Sequence, residues 1–158
     1  MSERSEIEDV YREDGPRLWR ALFAYAGDPE VASDTLAEVF AQALNHHGPL
    51  ESPQRWIWRS AFKIAAGEMK RRRTSTATMP SLLAAAASYE MEEPAIELVA
   101  ALAKLPRSQR VAVVLHHAAG YPVGEIAAIL GTSSATVKVH LHRGRRRLAE
   151  LLGEDHGP

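Results

Sequence analysis

Residues 121–152 restrict the fold more than any other part of the chain, because a short apolar segment, a glycine and a longer basic segment follow one another there. Ile126 and Leu130 have helical spacing, and Gly131 comes next as a residue that accepts a positive φ at a turn. Ser133 can then cap a second helix. This order is typical of a helix-turn-helix, so the region predicts a small helical unit.

The rest of the chain also predicts helices. No segment alternates apolar and polar residues between hairpin turns. The first helix is expected from Ile7 to Tyr25, with an interruption allowed at Gly15-Pro16. Two further helices have clear start signals, a capping residue followed by proline, at Asp28-Pro29 and Ser52-Pro53. The sequence therefore predicts an all-α fold.

A change of composition divides the chain into two halves. Residues 74–93 contain few large apolar side chains and begin with a Thr/Ser-rich stretch, which is typical of a linker. We expect two small helical domains, residues 1–73 and 94–158, joined by this flexible linker, with the helix-turn-helix in the second. Each half has about 70 residues, a size at which an isolated core is only marginally stable.

Several classes of function find no support in the sequence. The 158-residue chain has no cysteine, which excludes disulfide scaffolds, thiolate metal sites and cysteine nucleophiles. The histidine pairs have spacings unsuited to one metal on a helix face, and no catalytic motif is present. We expect no enzyme activity, no cofactor and no metal. No apolar run is long enough to span a bilayer and no signal-peptide core is visible, which predicts a cytoplasmic protein without membrane contact.

The net charge of −1 conceals blocks of opposite sign. Residues 1–54 carry 4 basic and 11 acidic side chains, whereas residues 55–73 carry 7 basic and 1 acidic. Residues 133–152 carry five basic side chains against Glu150 alone. Blocks of this kind indicate separate surfaces for different partners, and the two basic blocks suit nucleic acid.

The second helix of the predicted helix-turn-helix is the first candidate DNA-binding element. Its inward face is expected to hold Val137, Leu141 and Leu148. Cations and hydroxyls on the other face suit phosphate contact and base readout in a major groove. The alternative is a solvated basic helix in an ordinary bundle.

The helix within residues 55–73 is the second candidate, because aromatic rings among cations suit unpaired bases. The candidates are Arg55, Trp56, Trp58, Arg59 and Lys63. The alternative is that Trp56 belongs to the core and that the terminal basic run is only a solvated helix end.

Two groups of motifs resemble the extracytoplasmic-function (ECF) sigma factors of bacteria, which belong to the sigma-70 superfamily. The second half is similar to their region 4 and the first half to their region 2, in the same order and on either side of a linker. The matching segments are Leu105-Pro106-Arg107-Ser108-Gln109-Arg110, Gly124-Glu125-Ile126-Ala127-Ala128-Ile129-Leu130-Gly131, Thr136-Val137-Lys138-Val139-His140-Leu141-His142-Arg143-Gly144-Arg145, Gly27-Asp28-Pro29, Asp34, Glu38-Val39-Phe40 and Trp56-Ile57-Trp58-Arg59-Ser60-Ala61.

The resemblance implies an RNA polymerase sigma factor that directs promoter recognition and transcription initiation. The implied partners are core RNA polymerase, promoter DNA and an anti-sigma factor. The implied polymerase-binding residues are Asp34, Glu38 and Phe40, and those for the −10 element are Asn45, His46, Arg55, Trp56, Trp58, Arg59 and Lys63. The implied −35 residues are Ser134, Thr136, Lys138, Val139, His142 and Arg143, with Arg145, Arg146 and Arg147 nearer phosphates.

One of these residues departs from the family pattern in a way that bears on specificity. Val139 stands where a small polar residue is usual, and valine can pack on a thymine methyl group but cannot hydrogen-bond a base edge.

The residues, taken without the resemblance, leave two other functions possible. One is a stand-alone helix-turn-helix regulator that binds duplex DNA as a dimer. The other is an adaptor that binds polymerase without specific DNA.

Overall fold

The computed structural model describes residues 2–72 and 92–153, which contain helices joined by short loops and no strand. The predicted all-α fold is confirmed. Most of the predicted linker, residues 74–93, lies outside the described residues. The helices are α1 (Glu3–Ala26), α2 (Pro29–Leu44), α3 (Pro53–Arg72), α4 (Glu93–Leu102), α5 (Arg107–Val113), a π-helix (Val114–Ala118), α6 (Val123–Leu130) and α7 (Ser134–Leu152).

The predicted start of α2 is confirmed in atomic detail. The Asp28 carboxylate accepts hydrogen bonds from the backbone N–H groups of Glu30, at 2.9 Å, and Val31, at 3.4 Å. Pro29 occupies the first turn, where its missing N–H leaves no bond unmade. The capping carboxylate also suits the positive end of the helix dipole.

Helix α1 runs without interruption through Pro16, so the break allowed at Gly15-Pro16 does not occur. Pro16 is exposed, so water can solvate the carbonyl group that the missing N–H leaves unpaired. The predicted apolar stripe is confirmed, since Leu18, Leu22 and Tyr25 are each at most 2% exposed. These side chains pack toward α2 and α3, which complete a three-helix N-terminal half.

The C-terminal half is built around α7, which packs on α5 and α6. Helix α5 passes directly into the π-helix, so residues 107–118 form one continuous helical segment. Gly144 allows α7 to approach α5 closely, because a Cβ at this position would lie 2.7 Å from Val113 Cγ2. Gly131 has a φ of 68° and ends α6, which confirms the turn predicted there.

The two halves also pack against each other. Helix α1 contacts the π-helix and α4, and α3 contacts α6. The buried apolar side chains of both halves form one hydrophobic cluster. In this arrangement a single core joins the two predicted domains, which the sequence alone did not indicate.

Candidate nucleic-acid and partner interfaces

Helix α7 presents one face to the core and the opposite face to solvent. Val137 and Leu141 are buried, as predicted from their spacing. Lys138, Val139, His142 and Arg143 are exposed, and Val139 has 45% of its surface accessible. The face therefore combines two cations with an apolar side chain, the types needed for phosphate contact and for packing on a thymine methyl group.

The start of α7 is fixed by hydroxyl groups. Ser133 Oγ accepts from the Thr136 backbone N–H at 3.1 Å and lies 2.9 Å from Thr136 Oγ1. Ser134 is exposed beside them. The cap orients the first turn of the helix, where Ser134 and Thr136 are the predicted phosphate contacts.

The arginines in the second part of α7 have different surroundings. Arg145 donates from Nε to His117 Nε2 at 3.0 Å, so this guanidinium faces the π-helix. Burial lowers the pKa of His117, and the charge of Arg145 lowers it further. Arg147 pairs with Glu150 at 3.3 Å on the exposed surface, and Arg146 is also exposed. All three arginines are exposed, and Arg145 in addition joins α7 to the π-helix.

Three of the α3 candidates, Arg55, Trp56 and Arg59, line one cavity of about 320 Å³. The His46 ring packs edge-on against Trp56, with ring centroids 5.3 Å apart. Trp56 is half-buried at the surface. The structure therefore brings these four candidates together, and Ala128 of α6 completes the wall of the cavity.

The two arginines of this group are already engaged by the C-terminal half. Arg55 donates from Nε and NH2 to the two carboxylate oxygens of Glu125, at 2.9 and 3.0 Å. This hydrogen bonding and the charge of Glu125 raise the pKa of Arg55 above its usual value. Arg59 Nε donates to the Ile129 carbonyl oxygen at 2.6 Å. Helix α6 thus covers part of the predicted −10 surface.

Trp58 does not belong to that surface. It is fully buried, and its Nε1 donates to Asp14 Oδ2 at 2.9 Å. The prediction that Trp58 contacts bases is at odds with this position, whereas Trp56 is half-buried and packs against the edge of the core. Residues two apart on a helix do not share a face, and it is Trp58 that points inward.

A buried polar network surrounds Asp14 and links the halves. Arg17 bonds to Asp14 at 3.3 Å and to the Ala119 carbonyl oxygen at 3.0 Å. Arg17 and Gln54 both donate to the Tyr121 hydroxyl, at 3.0 and 3.2 Å, and Gln54 also donates to Asp14. Burial raises the pKa of Tyr121 above its usual value. Sequence reasoning missed this network, because its bonds between different helices join residues 40 to 104 positions apart and no local pattern connects them.

A second groove, of about 720 Å³, lies between α2 and α3. Asp34 and Glu38 of α2 line it, together with Lys63 of α3. Lys63 therefore lies beside the predicted polymerase-binding carboxylates, away from the cavity that holds Arg55 and Trp56. The prediction that groups Lys63 with the −10 residues is not supported by this placement.

The remaining predicted residues are Phe40, in α2, and Asn45, which directly follows the last residue of α2. Phe40 is only 6% exposed, and its ring lies under Tyr11 at a centroid distance of 5.0 Å. A direct polymerase contact by Phe40 is at odds with this burial. Asn45 is exposed at the end of the helix, where its side chain donates to the Ala41 carbonyl oxygen at 3.0 Å.

The described residues contain neither a metal-binding cluster nor a membrane-spanning helix. Residues 2–72 and 92–153 hold no group of three or more His, Asp or Glu side chains arranged to bind a metal ion. None of the helices described above is long and apolar enough to cross a membrane.

Comparisons with known proteins agree on one family. Residues 95–148 match the family model "Sigma-70, region 4". The ECF RNA polymerase sigma factor SigM of Mycobacterium tuberculosis is 28% identical over 155 residues, which cover 96% of this chain and 79% of that protein. The RNA polymerase sigma factor CarQ of Myxococcus xanthus is also 28% identical, over 94% of this chain and 90% of CarQ.

Two solved structures share the fold. The sigma factor RpoE in complex with the anti-sigma factor NepR, from Bartonella quintana, superposes with a TM-score of 0.73. This match has 22% identity and covers 96% of this chain and 99% of RpoE. CnrH in complex with the cytosolic domain of CnrY gives a TM-score of 0.65 at 22% identity, covering 94% of this chain and 88% of CnrH. With the region 4 match and similarity to sigma factors along nearly the whole sequence, the chain is similar to the extracytoplasmic-function sigma factors of the sigma-70 superfamily.

Proposed function

We propose that this protein is an RNA polymerase sigma factor that directs promoter recognition and transcription initiation. The observation that carries the proposal is the extent of the similarity, since SigM matches 96% of the chain and thus both halves. A stand-alone helix-turn-helix regulator is not favoured, because it would leave the similarity of the N-terminal half to sigma factors unexplained. The proposal includes no enzymatic activity.

The C-terminal half, residues 94–158, is proposed to read the −35 element with α7. The exposed face with Lys138, Val139, His142 and Arg143 would enter the major groove, and Arg146 and Arg147 would lie near phosphates. Val139 supports a preference for thymine at one position, because its exposed side chain offers only apolar contact. Ser134 and Thr136 at the start of α7 would add phosphate contacts.

The N-terminal half, residues 1–73, is proposed to bind the −10 element and core polymerase through two separate surfaces. The cavity with Arg55, Trp56 and Arg59 offers a ring for base stacking beside two guanidinium groups for phosphates, and His46 packs against that ring. The groove with Asp34 and Glu38 offers carboxylates to a basic polymerase surface. Asn45 lies at the end of α2, after the carboxylates of the groove and before the residues of the cavity in sequence order.

Sigma function also implies where the protein works and what controls it. Transcription takes place in the cytoplasm, and we propose that location for the chain. RpoE of Bartonella quintana is held by the anti-sigma factor NepR, and CnrH is bound by the cytosolic domain of CnrY. We propose that an anti-sigma factor controls this protein as well.

Transcription by purified core polymerase tests the proposal. The protein is added to the core enzyme on a library of candidate promoters, and the starts that depend on it are sequenced. Dependent initiation from a shared −35 and −10 pattern is expected. Binding to core without initiation would favour the adaptor, and binding to duplex DNA in the absence of polymerase with no initiation would favour the stand-alone regulator.

Matched variants test the assigned surfaces. Arg143→Ala should lower promoter-dependent initiation about tenfold or more, because one good contact to a base is worth roughly 1–3 kcal/mol. Binding to core polymerase should stay unchanged. Lys104→Ala removes an exposed cation between α4 and α5 and serves as the control. An equal loss of initiation and core binding in Arg143→Ala would contradict its role.

The polymerase surface is tested by charge reversal. Glu38→Lys should weaken core binding, since it places a cation where a basic partner is expected. Glu97→Lys makes the same change at an exposed position on α4 and should leave assembly unchanged. Unaltered core binding by Glu38→Lys would remove Glu38 from the interface.

A further inference from the structure

The residues proposed to bind the −10 strand are occupied by the protein's own helix-turn-helix. Helix α6 lies against α3, and its Ala128 forms part of the cavity that holds Arg55, Trp56 and Arg59. The base-reading face of α7 points to solvent in the same structure. The contact between the halves therefore covers one of the two proposed DNA surfaces and leaves the other accessible.

Helix α6 presents negatively charged or partially negative oxygen atoms to the two arginines of α3, as the phosphates of a nucleic-acid backbone would. Glu125 forms two parallel bonds to Arg55, at 2.9 and 3.0 Å, which is the geometry an arginine offers to phosphate. The Ile129 carbonyl, at the negative end of the α6 dipole, accepts from Arg59 at 2.6 Å. One short helix thus supplies acceptors to both guanidinium groups.

A second set of contacts stabilises the same arrangement. Arg17 reaches from α1 to the Ala119 carbonyl oxygen and the Tyr121 hydroxyl, and Gln54 reaches from α3 to that hydroxyl. The Tyr121 ring packs edge-on against Trp58, with ring centroids 4.9 Å apart. Arg110 adds a bond at 3.0 Å to the Tyr25 carbonyl oxygen. These contacts stabilise the packing of the two halves in addition to the Arg55–Glu125 pair.

We propose that α6 acts as an internal substitute for single-stranded DNA, so that the free chain closes on itself and blocks its own −10 surface. The Glu125 carboxylate and the Ile129 carbonyl take the places of phosphate oxygens on Arg55 and Arg59. Strand binding then requires the halves to separate. This inference rests on the proposed function of the N-terminal half, because the blocked ligand is the −10 strand.

The proposal predicts that opening the chain strengthens strand binding. When only the open form binds, the apparent affinity is reduced by the fraction of molecules that are open. Glu125→Gln keeps the size of the side chain and removes its charge, and Tyr121→Phe removes the shared hydroxyl. We expect the double variant to bind single-stranded DNA about tenfold more tightly than the parent. Glu97→Gln, which removes an exposed charge from α4, should leave the affinity unchanged.

Two measurements on the full chain test this mechanism. Fluorescence anisotropy gives the affinity of the free protein for a labelled single-stranded DNA of random sequence. Electron-spin distance measurements follow the halves through labels at two introduced cysteines, Ala41→Cys in α2 and Ala135→Cys in α7. Both positions are exposed, and the parent sequence has no other cysteine to label. We expect one narrow distance in the parent, and longer, broader distances together with tighter DNA binding in the double variant.

The outcomes separate the inference from the proposed function. Equal strand affinity in parent and double variant, despite separated halves, would overturn the self-blocking role while polymerase-dependent initiation still holds. Broad distances in the parent would overturn the closed form itself. Failure of the proposed function would appear differently, as absence of initiation with core polymerase for both proteins. Circular dichroism of each variant confirms that its helices are retained.

Discussion

The buried carboxylate of Asp14 offers the most direct test of how the N-terminal half is held together. Its oxygens accept from Trp58 Nε1 at 2.9 Å, from Gln54 at 3.0 Å and from Arg17 at 3.3 Å. We consider Asp14→Asn, which preserves shape but replaces one acceptor oxygen with a donor amide. The best orientation of the amide keeps the bonds from Trp58 and Gln54 in neutral form and turns the amide nitrogen toward Arg17.

The cost of Asp14→Asn follows from these contacts. A hydrogen bond to a charged group contributes about 1.5–3 kcal/mol and a neutral one about 0.5–1.5 kcal/mol, so weakening two bonds costs about 2–3 kcal/mol. The pair with Arg17 adds at most about 1 kcal/mol, because the Arg17 side chain is 34% exposed. The expected loss in the free energy of unfolding is about 3 kcal/mol, a large share of the stability of a small domain.

Urea denaturation followed by tryptophan fluorescence measures this loss. All three tryptophans, at positions 19, 56 and 58, lie in the N-terminal half, so the signal reports the unfolding of that half. With a slope of about 2 kcal/mol per molar urea, the midpoint should fall by about 1.5 M. Asp9→Asn removes a carboxylate that pairs with Arg12 on the exposed surface and should cost less than about 1 kcal/mol. A shift in Asp14→Asn no larger than in Asp9→Asn would refute the argument.

Three further predictions concern other parts of the fold. Asp28→Ala removes two capping bonds at the start of α2 and should lower the free energy of unfolding by about 1 kcal/mol. Urea denaturation followed by tryptophan fluorescence measures this loss, and an unchanged free energy of unfolding would show that the cap does not stabilise the helix. Gly144→Ala would place a Cβ 2.7 Å from Val113 Cγ2 and should cost about 1–3 kcal/mol, seen as a lower melting temperature by circular dichroism; an unchanged melting temperature would contradict the close packing of α7. Burial and the charge of Arg145 lower the pKa of His117 below its usual value of 6.5 in the folded protein. Because His117 therefore binds a proton more readily in the unfolded chain, the free energy of unfolding should decrease as the pH falls below about 6.5. His117→Gln should flatten that slope in melting curves recorded across this pH range, and an unchanged slope would exclude His117 as its source.

The elements that sequence reasoning predicted well are those whose signals are local. The cap and proline of α2 and the glycine turn after α6 each depend on residues within one helical turn, so a short window contains the whole cause. The apolar stripe of α1 is equally local. The outward face of α7 followed from the inward spacing of Val137 and Leu141.

The elements that it missed depend on distant contacts. Both tryptophans of α3 were predicted to contact bases, because spacing separates their faces but does not tell which face is buried, and Trp58 lies on the buried face. Lys63 and Phe40 were grouped with functional residues by motif position, although each packs in a different environment. The contact of Glu125 with Arg55 joins residues 70 positions apart, and only the packing of the two halves brings them together.

Gly131 couples the local turn to the contact between the halves. The turn after α6 needs a positive φ, which asparagine can also adopt. A Cβ at this position would, however, lie 2.3 Å from Arg59 NH2, so any side chain would push that guanidinium away. Asparagine would therefore be acceptable to the C-terminal half alone, whereas in the closed chain it would require the Arg59 guanidinium to move. During evolutionary divergence, a sigma factor without this contact between the halves could replace the glycine with asparagine. A sigma factor that kept the contact would retain glycine for two reasons, the positive φ of the turn and the space that Arg59 occupies.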